Sequence, residues 1–314
     1  MKIGIIGLGS IGQRHVRNLA HMGYTDLIAL RSKKGAFKSL PDDLKFIKEF
    51  DSENDFYKEP LDGIIIANPT SLHEKTALPG LMKGIKTFIE KPIAESIERA
   101  GQLRNYADLI IVGYCLRFSE YVRTIKTFID NGELGKLYKA SFYRSYYLPK
   151  WHPYADYRLE YTAKKELGGG VIRTLSHEID LMHYLFGVVD HANGLTDKLS
   201  ELEIDTDDFC FFSCKMKNGG RVNFELDFLS PDYINRAELI GSKGRLAYDN
   251  HDVTFTPMSG QKKIIYSYAN DEFEIMYMEQ MRDFIQFIET GKSGNCSYHQ
   301  AEDVLKIIEL IDKQ

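Results

Sequence analysis

The sequence predicts an α/β protein in two parts: a Rossmann-type doubly wound parallel sheet over residues 1–117, then an α+β domain with an open, mainly antiparallel sheet over residues 118–314. Three observations predict it. Short β-rich runs alternate with helix-period stretches up to about residue 115. A glycine-rich turn, Gly7-Leu8-Gly9-Ser10-Ile11-Gly12, follows the first run directly. From Lys136 onward, strand-like runs succeed one another across separators with turn chemistry, Lys217-Asn218-Gly219-Gly220 and Gly241-Ser242-Lys243-Gly244.

In chain order, the first part has predicted strands at Ile3–Ile6, Leu27–Leu30, Gly63–Ala67, Thr87–Glu90 and Leu109–Val112. Between them Ile11–Met22, Leu72–Lys83 and Ile97–Tyr106 have helical length and one charged side, as amphipathic helices do. Phe118–Asn131 is a further helix, closed by Asn131-Gly132. The second part has strands at Tyr138–Tyr147, Asp208–Met216, Arg221–Phe228, Asn235–Ile240, Val253–Thr256 and Lys263–Tyr268, short enough in their turns for successive strands to run antiparallel. A helix at Ser176–Phe186 is inserted among them, and Glu274–Thr290 and Ala301–Lys313 are helical again.

Composition narrows the function classes. With 45 acidic against 40 basic residues, a net charge of −5 and 43% hydrophobic residues, the chain reads as an ordinary soluble globular protein. A general nucleic-acid binder would be basic, and no apolar run approaches the roughly 18 residues of a membrane span. Met1–Ile6 superficially resembles a leader, but Gly7, Gly9, Gly12 and Gln13-Arg14-His15 interrupt it and no small-residue cleavage site follows. The four cysteines, Cys115, Cys210, Cys214 and Cys296, fit neither a disulfide framework nor a zinc pattern, so a reduced, cytoplasmic chain is expected.

Gly7, Gly9 and Gly12 match the dinucleotide fingerprint in its proper context, after a strand and opening a helix. The first glycine permits a tight turn, the second lets backbone approach a pyrophosphate, and the third allows close helix–strand packing. The N–H groups around Ser10 and Ile11 then face the anion. NAD selection usually places an acid at the end of the second strand; here that position reads Leu30-Arg31-Ser32-Lys33-Lys34. Arg31 and Ser32 suit a 2′-phosphate, so NADP(H) is expected to be preferred, with NAD(H) possible.

A second motif, Thr87-Phe88-Ile89-Glu90-Lys91-Pro92, puts a lysine at the carboxyl end of a parallel strand, where doubly wound sheets bind ligands. Such a lysine can hydrogen-bond a substrate oxygen and stabilise negative charge on it. With Ile66-Ala67-Asn68-Pro69-Thr70-Ser71-Leu72-His73 upstream, Gly113-Tyr114-Cys115-Leu116-Arg117-Phe118 at the domain junction and Ile240-Gly241-Ser242-Lys243-Gly244 in the second sheet, the chain resembles the glucose-fructose oxidoreductase, inositol dehydrogenase and rhizopine-catabolism (Gfo/Idh/MocA) family over essentially its whole length. The resemblance implies an NAD(P)-dependent oxidoreductase acting on sugars, sugar nucleotides, cyclitols or related diols. It implies Lys91 as the catalytic lysine, Asn68, Pro69 and His73 along the cofactor, and Glu90 helping to position it. It also implies a homodimer or homotetramer paired through the second sheet.

The segment Ser145–Pro153, with Asp156-Tyr157-Arg158 and Lys164–Gly170, looks like the subgroup associated with bacterial surface-sugar and nonulosonate biosynthesis. Physically it gathers the chain's only Trp with Tyr, His and Arg, suited to stacking on a ring and gripping a phosphate or carboxylate. Arg117, Tyr147, Trp151, His152, Arg158, Arg173 and Thr174 are the substrate-contact candidates, with His177.

Gly168–Asp180 carries the second catalytic element. Spacing of three places Thr174, His177 and Asp180 on about one helical face, with Ser176 or Thr174 as a cap. His177 then takes the substrate hydroxyl proton as hydride leaves. The resembling subgroup carries Asp where this chain has Thr174, so the acid/base pair is expected to be Lys91 with His177. Glu178 should point away. The stretch lacks H-E-x-x-H, and no metal is expected.

The expected function is hydride transfer between nicotinamide and a carbinol or keto carbon of a sugar or nucleotide-activated sugar. Two alternatives remain open at this level: a non-catalytic NADP-binding sensor or scaffold, and a transient-redox sugar epimerase or eliminase.

Overall fold

The computed structural model describes residues 1–33, 39–153, 155–268 and 271–312. In chain order it begins β1 (Ile3–Ile6), α1 (Ser10–His21), β2 (Leu27–Leu30), β3 (Lys48–Phe50), α2 (Glu53–Phe56), β4 (Gly63–Ile66), α3 (His73–Leu81), β5 (Lys86–Ile89), α4 (Ile97–Leu103) and β6 (Ile110–Val112). It continues α5 (Glu120–Asp130), β7 (Leu137–Ser145), α6 (Leu148–Trp151), α7 (Val171–Thr174), α8 (His177–Phe186), β8 (Val189–Asp197), β9 (Phe209–Met216), β10 (Arg221–Asp227), β11 (Ile234–Gly241), β12 (Gly244–Tyr248), β13 (Asp252–Pro257) and β14 (Lys263–Ser267). Then come α9 (Glu272–Thr290), β15 (Cys296–Ser297) and α10 (Tyr298–Asp312).

Among the described residues, contacts divide the chain into two units: 1–115 with 166–168 and 277–305, and 116–165 with 169–276 and 306–312. The first unit holds a sheet of order β15-β6-β5-β4-β1-β2-β3, parallel throughout except for β15. From β3 to β6 this is the doubly wound order, and its direction reverses between β1 and β4, where such sheets open a ligand crevice at their carboxyl ends. β1 and β4 are buried along their whole length. The core beneath them joins Ile3, Ile5, Val16, Leu19 and Phe88 to Met281, Phe284, Ile285 and Phe287. Those last four correct the continuous second domain expected over 118–314. Residues 277–305 belong with the first unit because the apolar face of α9 completes its core and β15 pairs with β6, Cys296 opposite Val112.

The second unit is built on a sheet of order β14-β13-β12-β11-β7-β10-β9-β8. It is mainly antiparallel, as expected for successive strands; the exception is the pair β7 and β10, which are not successive and run parallel. Burial alternates along β9 and β10, so Cys210, Phe212, Cys214, Val222, Phe224 and Leu226 face inward while Ser213, Lys215 and Asn223 face out. Phe224 stacks on Phe212 at 4.4 Å and on Phe142 at 5.1 Å between ring centroids. β8 and β12 were not read from the sequence. All four cysteines are buried, and burial pushes the Cys214 thiol up to about 12. No described helix is long and apolar enough to cross a membrane.

Candidate active site

The phosphate loop follows from β1. Gly7 has φ +94°, and a Cβ there would come within 2.7 Å of the Asn68 backbone nitrogen, so this turn accepts only glycine. At Gly12 a Cβ would meet the Gly7 carbonyl oxygen at 2.1 Å, which is the close helix–strand approach the fingerprint needs. Beside Gly9 nothing lies within 4 Å of a Cβ position, and α1 starts there without a side-chain cap. Ser10 is exposed and Ile11 half-buried. An uncapped helix N-terminus opening onto free space fits a dinucleotide pyrophosphate.

At the end of β2, Arg31 is buried and its guanidinium donates to Glu49 on β3 at 3.0 Å; Lys33 lies 3.4 Å from the same oxygen. Ser32 is exposed, and Lys34 lies outside the described residues. Past β4, Asn68 donates to Thr76 at 3.2 Å. His73 is placed differently from expectation. It is 1% exposed, and its two ring nitrogens each lie 2.9 Å from a carbonyl oxygen, one of Pro92 and one of Asn68. Burial pushes its imidazole below the usual range, so it works as a tie between the loops after β4 and β5. Pro69 and Lys91 are half-buried, and Lys91 comes two residues after the last residue of β5. Glu90 holds His15 through one oxygen, at 2.6 Å, and the Lys91 backbone N–H through the other, at 3.2 Å.

In the second unit the helix reading needs correction. α7 ends at Thr174 and α8 starts at His177, with Leu175 and Ser176 turning between them, so Thr174, His177 and Asp180 do not share one helix. Ser176 sits at the cap position of α8 but makes no side-chain cap bond. Asp180 is instead taken by Arg117 in a buried two-bond pair of 2.9 and 2.6 Å. That pair removes Arg117 from the substrate-contact set, because its side chain is 3% exposed. Glu178 does point away from His177, into an ion pair with Arg144. Thr174 is buried and His177 half-buried.

Arg173 pairs with Asp312 on α10, which compensates the charge expected to meet an anionic substrate. Arg158 is likewise committed, to Asp156 and to Glu203, each at 2.8 Å. Tyr147 and Trp151 are each 38% exposed. Trp151 stacks on Tyr146 at 4.3 Å, and His152 lies 2.7 Å from Glu160. This aromatic group keeps an accessible surface, whereas Arg158, though its side chain is 50% exposed, and Arg173 are already paired with carboxylates.

One residue absent from the sequence reading organises the segment. Asp207 accepts the N–H groups of Val171 and Ile172 at 2.7 and 3.3 Å, capping α7. Loss of water, with the negative charge of Asp312 adding to it, pushes its carboxyl up to about 6. A folded value above the ordinary carboxylate value means stability that is present at low pH and lost as pH rises from about 4 through about 6. Asp207→Asn keeps an acceptor and should flatten that part of the stability-versus-pH profile, removing a difference of about 3 kcal/mol between its ends. An unchanged slope in thermal melts would sink the assignment.

A glycine turn opening a helix at the switch point of a doubly wound sheet, with a lysine past the carboxyl end of β5, two strands away from β1, points to an NAD(P)-dependent oxidoreductase. The sequence places it more narrowly. The model of the oxidoreductase family with the NAD-binding Rossmann fold matches residues 1–109, and that of the GFO/IDH/MocA C-terminal domain matches residues 122–247. The chain belongs to the GFO/IDH/MocA family.

Among its relatives, a scyllo-inositol 2-dehydrogenase (NAD(+)) of Bacillus subtilis (strain 168) is 24% identical over 309 residues, covering 93% of this chain and 87% of that protein. The WlbA dehydrogenase from Bordetella pertussis, in complex with NADH and UDP-GlcNAcA, superposes with a TM-score of 0.81 at 17% identity, over 99% of this chain and 94% of that one. Levoglucosan dehydrogenase in complex with NADH gives a TM-score of 0.83 at 18% identity, over 99% and 95%. Both superpositions bear on the fold.

Proposed function

We propose that this chain is a sugar or nucleotide-sugar dehydrogenase, in which Lys91 polarises the reacting oxygen and His177 relays the proton. The observation that carries the reading is Lys91 at the carboxyl edge of the sheet whose β1 end forms the phosphate turn. When bound, nicotinamide supplies hydride acceptance and return. Lys91 stabilises negative charge on the substrate oxygen as it loses its proton. His177 holds that proton, Thr174 being unable to ionise. Trp151 and Tyr147 offer exposed ring surface for a sugar, with His152 beside them. Of the relatives named above, one is a scyllo-inositol dehydrogenase, one a levoglucosan dehydrogenase, and one was solved with UDP-GlcNAcA, which supports this substrate class.

The test is nicotinamide absorbance against a panel of inositols, free sugars, and UDP- and CMP-linked sugars with their keto forms. Oxidation or reduction of any of them supports the reading. Binding of NADH without turnover across the panel would favour the sensor or transient-redox alternatives.

NADP(H) preference rests on Arg31, and the pair with Glu49 favours NAD(H) instead, because the guanidinium is already neutralised by a carboxylate on the neighbouring strand. Glu49→Gln should free that charge and tighten NADPH by about tenfold while moving NADH by less than about threefold. An unchanged NADPH-to-NADH ratio in fluorescence titrations would remove Arg31 from cofactor choice. For assembly, the outer face of the second sheet carries exposed Leu195 and Phe211, and it is the surface through which copies would pair.

A further inference from the structure

We propose that His15 is a positioning residue for the reaction: it fixes the Glu90 carboxylate, and through it the backbone of Lys91, to the helix that starts at the phosphate turn. The inference rests on the reading of Lys91 as the lysine at the reacting oxygen, and it goes further by assigning a residue that has no exposed surface at all.

His15 stands on α1, five residues into the helix whose first N–H groups face the pyrophosphate site. Its Nε2 lies 2.6 Å from Glu90 Oε1, across 75 residues of sequence. The ring is boxed by aromatic edges, Phe88 at 5.3 Å and Tyr277 at 6.5 Å between centroids. Its other nitrogen, Nδ1, is buried with no hydrogen-bond partner, which places the ring proton on Nε2, where it is donated to the carboxylate.

The second oxygen of Glu90 then accepts the Lys91 backbone N–H at 3.2 Å. Gly113 closes the third side, since a Cβ there would stand 3.1 Å from that oxygen and 2.8 Å from the Phe88 ring. The carboxylate is therefore clamped between α1, the Lys91 backbone and the start of the loop after β6. A His with 0% side-chain exposure touches neither cofactor nor substrate, so whatever it does for turnover it does through Glu90. Two hydrogen bonds connect the helix that receives the phosphate to the residue that would meet the substrate. Lys91 is thereby set relative to α1 before substrate arrives, which is preorganisation of a catalytic group by its support.

The experiment uses the full chain saturated with NADH and compares His15→Leu, which removes the donor, with His15→Gln, whose amide can reach Glu90 as Nε2 does. Amide exchange of the peptide spanning residues 88–92, read by mass spectrometry, is expected to quicken about tenfold in His15→Leu and to return close to the parent rate in His15→Gln. In separate assays with NAD⁺ as hydride acceptor, kcat on the sugar oxidised by the parent protein should fall by about 10- to 100-fold in the leucine variant, with the NADH dissociation constant held within about threefold, and should recover in the glutamine variant.

Unchanged exchange at 88–92 in His15→Leu, or quickened exchange with unchanged kcat, would overturn the proposal. So would loss of NADH affinity in step with kcat and no rescue by glutamine, which is the mark of a packing role alone. Should the leucine variant fail to fold, Glu90→Gln reads the same link. Its amide sets a donor against either His15 or the Lys91 N–H, so exchange should quicken and kcat fall; parent values for both would overturn the proposal. Lys91→Met separates the two readings. If it retains turnover, the role of Lys91 fails; if it abolishes turnover while His15→Leu does not lower it, the role of His15 alone fails.

Discussion

Lys91→Met is expected to lower kcat by about 10²–10⁴-fold, the range spanned by removal of a positioned proton-transferring or oxygen-polarising group. Methionine keeps the length and most of the volume of lysine, so the half-buried position after β5 stays filled and the change is confined to the ammonium group. The proposed anion cradle lies elsewhere, at the turn Gly7–Gly12 and the start of α1, which has no side-chain cap. NADH should accordingly still bind within about threefold of the parent value in a fluorescence titration. Full turnover in this variant would take Lys91 out of the mechanism altogether.

A comparable loss, about 10²–10⁴-fold in kcat, is expected for His177→Asn. The acids near His177 along α8 are committed elsewhere: Asp180 to Arg117 and Glu178 to Arg144. Thr174, where the subgroup resembled carries Asp, has no ionisable group. With no carboxylate of this segment left to take over the proton, the asparagine variant should also lose an ionisation from the pH profile of kcat/KM. A profile of unchanged shape with less than about threefold loss would show that the proton leaves by another path.

These expectations were largely legible locally. β1, the glycine turn and α1 lie within the first 21 residues and are fixed by nearest-neighbour chemistry, as are β4 and β5. What the sequence left dark depends on partners far along the chain. Arg31 reads as a free cation until Glu49 is found on a three-residue strand, Lys48–Phe50, too short and too charged to announce itself. Arg117 and Asp180 are 63 residues apart, and His15 and Glu90 are 75 apart. No periodicity connects such pairs, and His15 in the sequence is only one more interruption after Gly12. β8 was missed because Val189–Asp197 is mostly polar and half exposed, and β12 because its five residues follow directly on a Gly-Ser-Lys-Gly turn. The parallel pairing of β7 with β10 is a property of topology that strand propensity does not encode.

The return of residues 277–305 to the first unit bears on how the protein is made. As the chain leaves the ribosome, β1 to β6 emerge before the second unit's sheet, yet Phe284, Ile285 and Phe287, which finish their core, are encoded after it. The nascent nucleotide-binding half must wait, with apolar surface open, while the intervening residues of the other unit are synthesised. At roughly 5–20 residues per second that interval is on the order of ten seconds or more, long enough for a chaperone to engage. Truncation just after β6 would therefore yield an aggregation-prone stub, and a stop codon ahead of α9 would cripple the nucleotide-binding half although β1 to β6 had already been made.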